Sequence, residues 1–147
     1  MSRVKITLLS IVGAGVAAAL GVSIPQDESG RKVEATFAPD TSLQIHHISG
    51  KQYLRAYLDI VGVPTACDGI TQGVKLGQTY TEAECAAKLE HELIIHATGV
   101  MKCTPGLALS ADPAIERMRE GPRFAAVSLA YNVGVGAYCS STARARV

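Results

Sequence analysis

The segment G-K-Q-Y-L-R-A-Y-L-D-I-V-G-V-P-T-A-C-D-G-I-T, Gly50 to Thr71, decides how the rest of the chain is read. Tyr53, Leu54 and Tyr57 recur at helical spacing, which predicts a short helix over 51–58 with Lys51, Gln52 and Arg55 in water. Asp59 falls where that helix should end. Gly62 tolerates positive φ and Pro64 biases Val63 toward extended backbone, so Ile60–Pro64 reads as a turn into a strand. Asp68-Gly69 is a second turn signal, and it makes Thr65 and Thr71 the flanks of a small hairpin.

Upstream, Ile6 to Ile24 carries no charge and lies between Arg3 and Lys5 on one side and Asp27 and Glu28 on the other. These flanks orient the N-terminus to the cytoplasm and the remainder outward. Glycine and alanine dilute the stretch, so it is only marginally apolar enough to span a bilayer. Two readings lead, an anchor weak enough to leave the membrane and a signal peptide cleaved after small residues such as Ala17-Ala18-Ala19, with a permanent anchor third. On each reading the inner membrane is met through residues 6–24 and the remainder is exported to the periplasm, membrane-tethered or released. Residues 1–25 are then the export segment, 26–43 a polar, irregular tether, and 44–147 the folded domain.

The 147 residues leave room for one compact domain beyond that segment. The formal net charge is +1, and setting aside Arg3 and Lys5 leaves 12 basic against 13 acidic residues. That balance provides no clustered basic face, so nucleic acid is not an expected partner. Oligomeric state is left open. All four cysteines, Cys67, Cys85, Cys103 and Cys139, lie on the exported side, which points to two disulfides among three possible pairings.

After Gly77 the run Thr81-Glu82-Ala83-Glu84 is a capping box opening a helix, with Cys85, Leu89, Leu93, Ala97 and Val100 on its inner stripe. Lys88, Glu90 and Glu92 fall on other faces and read as solvated. Asp112-Pro113 starts a helix expected to stop before Gly121-Pro122. Phe124–Val133 reads as a separate buried helix closed by Gly134. His91 and His96 are five apart, about 140° around a helix, so they do not chelate one metal. No metal or cofactor is expected.

Three blocks carry a resemblance: Y-L-R-A-Y-L-D-I-V-G-V-P-T-A-C-D-G-I-T, then V-K-L-G-Q-T-Y-T-E-A-E-C, then A-A-V-S-L-A-Y-N-V-G-V-G-A-Y-C-S-S-T. In content and order they resemble the phage-type lysozyme (endolysin) family. The weakly apolar leader is similar to that of its signal-anchor-release members. The resemblance implies an α+β, lysozyme-like fold, mainly helical, with a small antiparallel sheet lobe and a long connecting helix. It implies muramidase activity on bacterial peptidoglycan in host lysis, and disulfides Cys67–Cys85 and Cys103–Cys139. The family pattern of Glu, eight residues, Asp, five residues, Thr maps onto Asp59 and Thr65 as catalytic residues, with Gly50 at the expected Glu position.

Protonation of the leaving oxygen therefore lacks its usual residue. On this reading Gly50→Glu should raise lysis. Asp68 is the nearest substitute acid, although before Gly69 it reads as a polar turn residue. A non-catalytic peptidoglycan- or partner-binding protein and a degenerate prophage remnant are the alternatives. The family's later helices have no counterpart here, so Phe124–Val133 is expected to need cover from 107–123 or from another chain.

Overall fold

The computed structural model describes residues 5–145. Two N-terminal helices come first, α1 (Leu8–Val12) and α2 (Ala14–Ser29). Thr7 and Ser10 form a reciprocal capping box at the start of α1, and Gly13, at φ +86°, ends it. The uncharged stretch is therefore two helices, and among the described residues no helix is long and apolar enough to cross a membrane. Leu8, Val12, Val16, Ala17, Leu20 and Ile24 are all buried in the common core.

The stretch expected to be an irregular tether is ordered. α2 runs through it to Ser29, Gly30 closes the helix in the left-handed region, and an antiparallel hairpin follows, β1 (Lys32–Phe37) with β2 (Leu43–Ser49). Its register pairs Val33 with His47, Ala35 with Ile45 and Phe37 with Leu43, while Lys32 opposite Ser49 closes the base. Val33, Leu43 and Ile45 point inward with period two. A Cβ at Gly21 would stand 3.1 Å from both the Ala35 Cβ and a Leu43 methyl, so the missing side chain is what lets the hairpin lie on α2.

From Gly50 the chain is extended, and the helix expected over 51–58 does not form. Its backbone groups are bonded to distant segments instead: Cys67 N donates to Tyr53 O at 2.8 Å, Tyr80 N to Leu54 O at 2.7 Å, and Ala56 N to Gln78 O at 2.8 Å. β3 (Tyr57–Leu58) and β4 (Pro64–Thr65) pair antiparallel, and single bridges Arg55–Thr79 and Ala66–Ile70 extend this second small sheet.

α3 (Glu82–Cys103) is the 22-residue axis of the molecule, capped by Thr81 and Glu84 as the sequence predicts. Its buried stripe includes Cys85, Leu89, Leu93, Ala97 and Val100, and also Glu90. Glu90 is thus not solvated: its carboxylate accepts from Leu8 N and Leu43 N, both at 3.0 Å, tying the starts of α1 and β2 to α3. A buried carboxylate is tolerated when its lone pairs are met by donors.

After a 3-10 turn at Pro105–Leu107, α4 (Pro113–Val133) opens on the Asp112 cap and continues through Pro122, so the two helices expected here are one. Arg123, fully buried, accounts for the continuity. It donates to Leu107 O, Ala108 O and Val12 O and pairs with both oxygens of Glu116 at 2.7 Å. α5 (Val135–Cys139) and α6 (Thr142–Ala145) follow. α2 and α3 pack on α4, so cover for its apolar face comes from the N-terminal segment rather than from 107–123 alone. Disulfides join Cys67 to Cys85 and Cys103 to Cys139.

Candidate active site

Asp59 and Thr65 lie in one hairpin. Tyr57 in β3 stands opposite Thr65 in β4, and the chain between them turns at Asp59–Val63, where Gly62 takes φ +83°. Asp59 N donates to Val63 O and Gly62 N to Asp59 O, each at 3.0 Å. The side chain is held by the same turn, because Asp59 Oδ1 accepts from Val61 N at 3.0 Å and Val63 N at 2.8 Å. Both of these bonds fall on Oδ1, which leaves Oδ2 for a water molecule. Thr65 is buried, and its hydroxyl donates to Val63 O at 2.9 Å. Such a carboxylate and a hydroxyl oxygen with free lone pairs can together orient an attacking water.

Gly50 sits at the base of the β1–β2 hairpin with φ +94°. A Cβ there would be 2.8 Å from Arg31 Cα, 3.0 Å from Arg31 Cβ and 3.3 Å from Gly30 O. Gly50→Glu therefore meets main chain before any carboxylate could reach a cleft, and the restoration expected from the sequence is not one this backbone accommodates.

Asp68 is also not a plain turn residue. It is buried, and its two oxygens accept from Arg31 Nε at 2.7 Å and Nη2 at 2.8 Å, with Ser29 Oγ adding a third bond at 3.0 Å. Arg31 in turn contacts His47 Nδ1 at 3.2 Å. This buried cluster clamps the end of α2 to the Asp68-Gly69 turn, which the Cys67–Cys85 disulfide fastens to α3. A carboxylate so fully engaged is unavailable as a proton donor to a substrate.

Glu28 escaped the sequence reading. It lies on the last turn of α2 with its side chain accessible to solvent, and its Oε2 is 2.8 Å from where a Cβ on Gly69 would stand. Partial burial, then the charges of Asp27 and Asp68, push its pKa above the ordinary carboxylate value. The Tyr57 phenol is pushed up by burial, then by Tyr53, Asp59 and Glu28. Tyr131 on α4 is pushed up by burial and next by Glu28. Glu28 thus lies over the Asp68-Gly69 turn, on a helix that packs against α4. The period-two alternation of Lys32–Phe37 was the signal available: it marks a hairpin, and a closed hairpin brings the residues before and after it together.

A cavity of about 670 Å³ lies between β2 and α3 and is bordered by Leu43, Ile45, Ala86, Glu90 and Ile94. It contains none of Asp59, Thr65 or Glu28. Its buried carboxylate, Glu90, is already bonded to two amides.

Residues 49–147 match the family model described as phage lysozyme. The SAR-endolysin of Enterobacteria phage P21 is 40% identical over 96 residues, which cover 65% of this chain and 52% of that protein. The SAR-endolysin of Enterobacteria phage PA-2 is 38% identical over 96 residues, with the same coverage of 65% and 52%. The chain spans about half the length of the curated relatives it matches. A solved structure of the active form of P1 phage endolysin Lyz superposes with a TM-score of 0.47 at 24% identity, covering 56% of this chain and 42% of that one.

Proposed function

Because the chain belongs to the phage lysozyme family, we propose that it is a muramidase that hydrolyses the glycan strands of bacterial peptidoglycan during host lysis. The observation that carries this reading is the Asp59–Thr65 hairpin, in which two turn amides fix one oxygen of the carboxylate. In that arrangement Asp59, with Thr65 beside it, takes the proton of a water that attacks the anomeric carbon.

Reducing-end release from purified sacculi tests the reading. Wild-type protein should cut and Asp59→Asn should fall toward background. Retention on sacculi without cutting supports the binding-only alternative.

The place of action follows from residues 6–24. Their flanking charges favour export, their small residues weaken anchoring, and relatives carry the SAR-endolysin name. The periplasmic form is then the one in which these helices are packed in the protein core. Carbonate extraction over the course of lysis should show the chain moving from the membrane pellet to the soluble fraction.

A further inference from the structure

We propose that Glu28 is the general acid of this cleft, standing in for the side chain that Gly50 lacks. The inference rests on the muramidase reading and assigns the half of the reaction that Asp59 and Thr65 leave open.

The geometry comes from the hairpin. The chain leaves α2 at Gly30, runs out along β1, returns along β2, and arrives at Gly50 against the Gly30–Arg31 backbone. In space the last turn of α2 leads straight to Gly50. Only in sequence does the hairpin separate them. The family spacing of Glu to Asp is therefore interrupted by an excursion that closes on itself, and Glu28 lies two residues before Gly30, whose carbonyl stands against Gly50.

The side chain is aimed at the right place. It lies over Gly69, in the turn bridged by Ala66 and Ile70, one step along the chain from Thr65 in the same small sheet. Tyr57, the ladder partner of Thr65, feels the charges of both Asp59 and Glu28, and Tyr131 on the α4 side feels Glu28 as well. Asp59 and Glu28 thus both lie at turns of this one small sheet, Asp59 in its hairpin and Glu28 over Gly69. Gly69 at φ +77° has no Cβ to displace the Glu28 carboxyl.

The environment suits the role. Burial and the neighbouring Asp27 and Asp68 favour the protonated form of Glu28, which a proton donor needs at its working pH. Asp68 is bonded to Arg31 rather than competing for the substrate, and the Arg31–Asp68–Ser29 cluster positions the turn that carries Glu28.

In the step itself, the Glu28 carboxyl gives its proton to the glycosidic oxygen as the bond from that oxygen to the anomeric carbon breaks and its electron pair stays on oxygen. Water oxygen bonds the anomeric carbon and its proton passes to Asp59. Solvent then reprotonates Glu28 and takes the proton from Asp59, so the net reaction is hydrolysis.

The test uses the full chain on purified sacculi, with wild type, Glu28→Gln and Asp59→Asn compared for reducing-end release, sacculus binding and thermal midpoint. Glu28→Gln should lower turnover about 10² to 10⁴-fold while binding and thermal midpoint stay at the wild-type values. Wild-type activity should decline on the alkaline side with the titration of the Glu28 carboxyl, followed by carbon NMR in glutamate-labelled protein. The groups facing it are Asp27, Asp68, Tyr57 and Tyr131, so Asp27→Asn should move that limb to lower pH. Active wild type with undiminished Glu28→Gln overturns the assignment alone, as does an alkaline limb that does not follow the Glu28 titration. Wild type no faster than Asp59→Asn overturns the muramidase reading and this assignment with it.

Discussion

At the scale of single residues, Gly50 and Glu116 show how position rather than identity sets the outcome. Gly50 combines positive φ with a main-chain neighbour where its Cβ would be. Gly50→Glu is expected to cost about 1–3 kcal/mol in urea unfolding and to leave lysis no faster. A variant that is both stable and faster would return the acid to residue 50. Glu116 receives two bonds from the buried Arg123 guanidinium, and these lower its pKa from the ordinary 4.5 to about 2. Because the folded value lies below the unfolded one, its contribution to stability is complete above about pH 4.5 and is lost as pH falls toward about 2. The stability gap between wild type and Glu116→Gln, measured by denaturant unfolding at a series of pH values, should therefore narrow through that window and close at its acid end.

At the scale of elements, α3 and α4 illustrate what local chemistry settles. Thr81 and Glu84 close a reciprocal cap, Asp112 accepts from Ala114 N and Ile115 N, and Gly134 ends α4. Each of these is a contact within a few residues, so each was legible in the sequence. Pro122 was not, because a proline after glycine ordinarily stops a helix. Here Arg123, the next residue, holds the helix to the 3-10 turn and to α1, while Pro122 itself lies on the exposed face beside water. The carbonyl of Met118 is the one that loses its helical donor, and Met118 is 77% exposed. Pro122→Ala should restore that bond without crowding and raise stability by about 1–2 kcal/mol in urea unfolding. A lower midpoint would show that the proline relieves a bend the packing needs.

At the scale of the whole molecule, the central fact is that the uncharged N-terminal stretch forms part of the core. Leu20 has no exposed surface and lies among α2's contacts with the hairpin and α4. Leu20→Ala is expected to cost about 2–5 kcal/mol by calorimetry or denaturant unfolding of the full chain. An unchanged midpoint would mean that the segment does not dock on the body in solution. Docking also couples the segment to the proposed chemistry, since the last turn of α2 carries Glu28 and is clamped to the Asp68-Gly69 turn through Ser29, Arg31 and Asp68.

The sequence by itself determined the elements whose signals are local. These are the capped start of α3 and its buried stripe, the Asp112-Pro113 start of α4, and the turn over 60–64 leading into a strand. Tertiary structure alone decided four others: the extended course of 51–58, the burial of Glu90 and Asp68, the passage of α4 through Pro122, and the meeting of Gly50 with the Gly30–Arg31 backbone. The physical reason is the same in each case. Residues 53, 54 and 56 satisfy their backbone groups with 67, 80 and 78, Glu90 answers donors at 8 and 43, and Arg123 reaches carbonyls at 12, 107 and 108. Helical periodicity or a turn propensity amounts to a preference of under about 1 kcal/mol per residue, whereas a buried polar group left without its partner costs about 1–3 kcal/mol. Where the two conflict, the distant partner prevails, and it can be found only once the chain has folded.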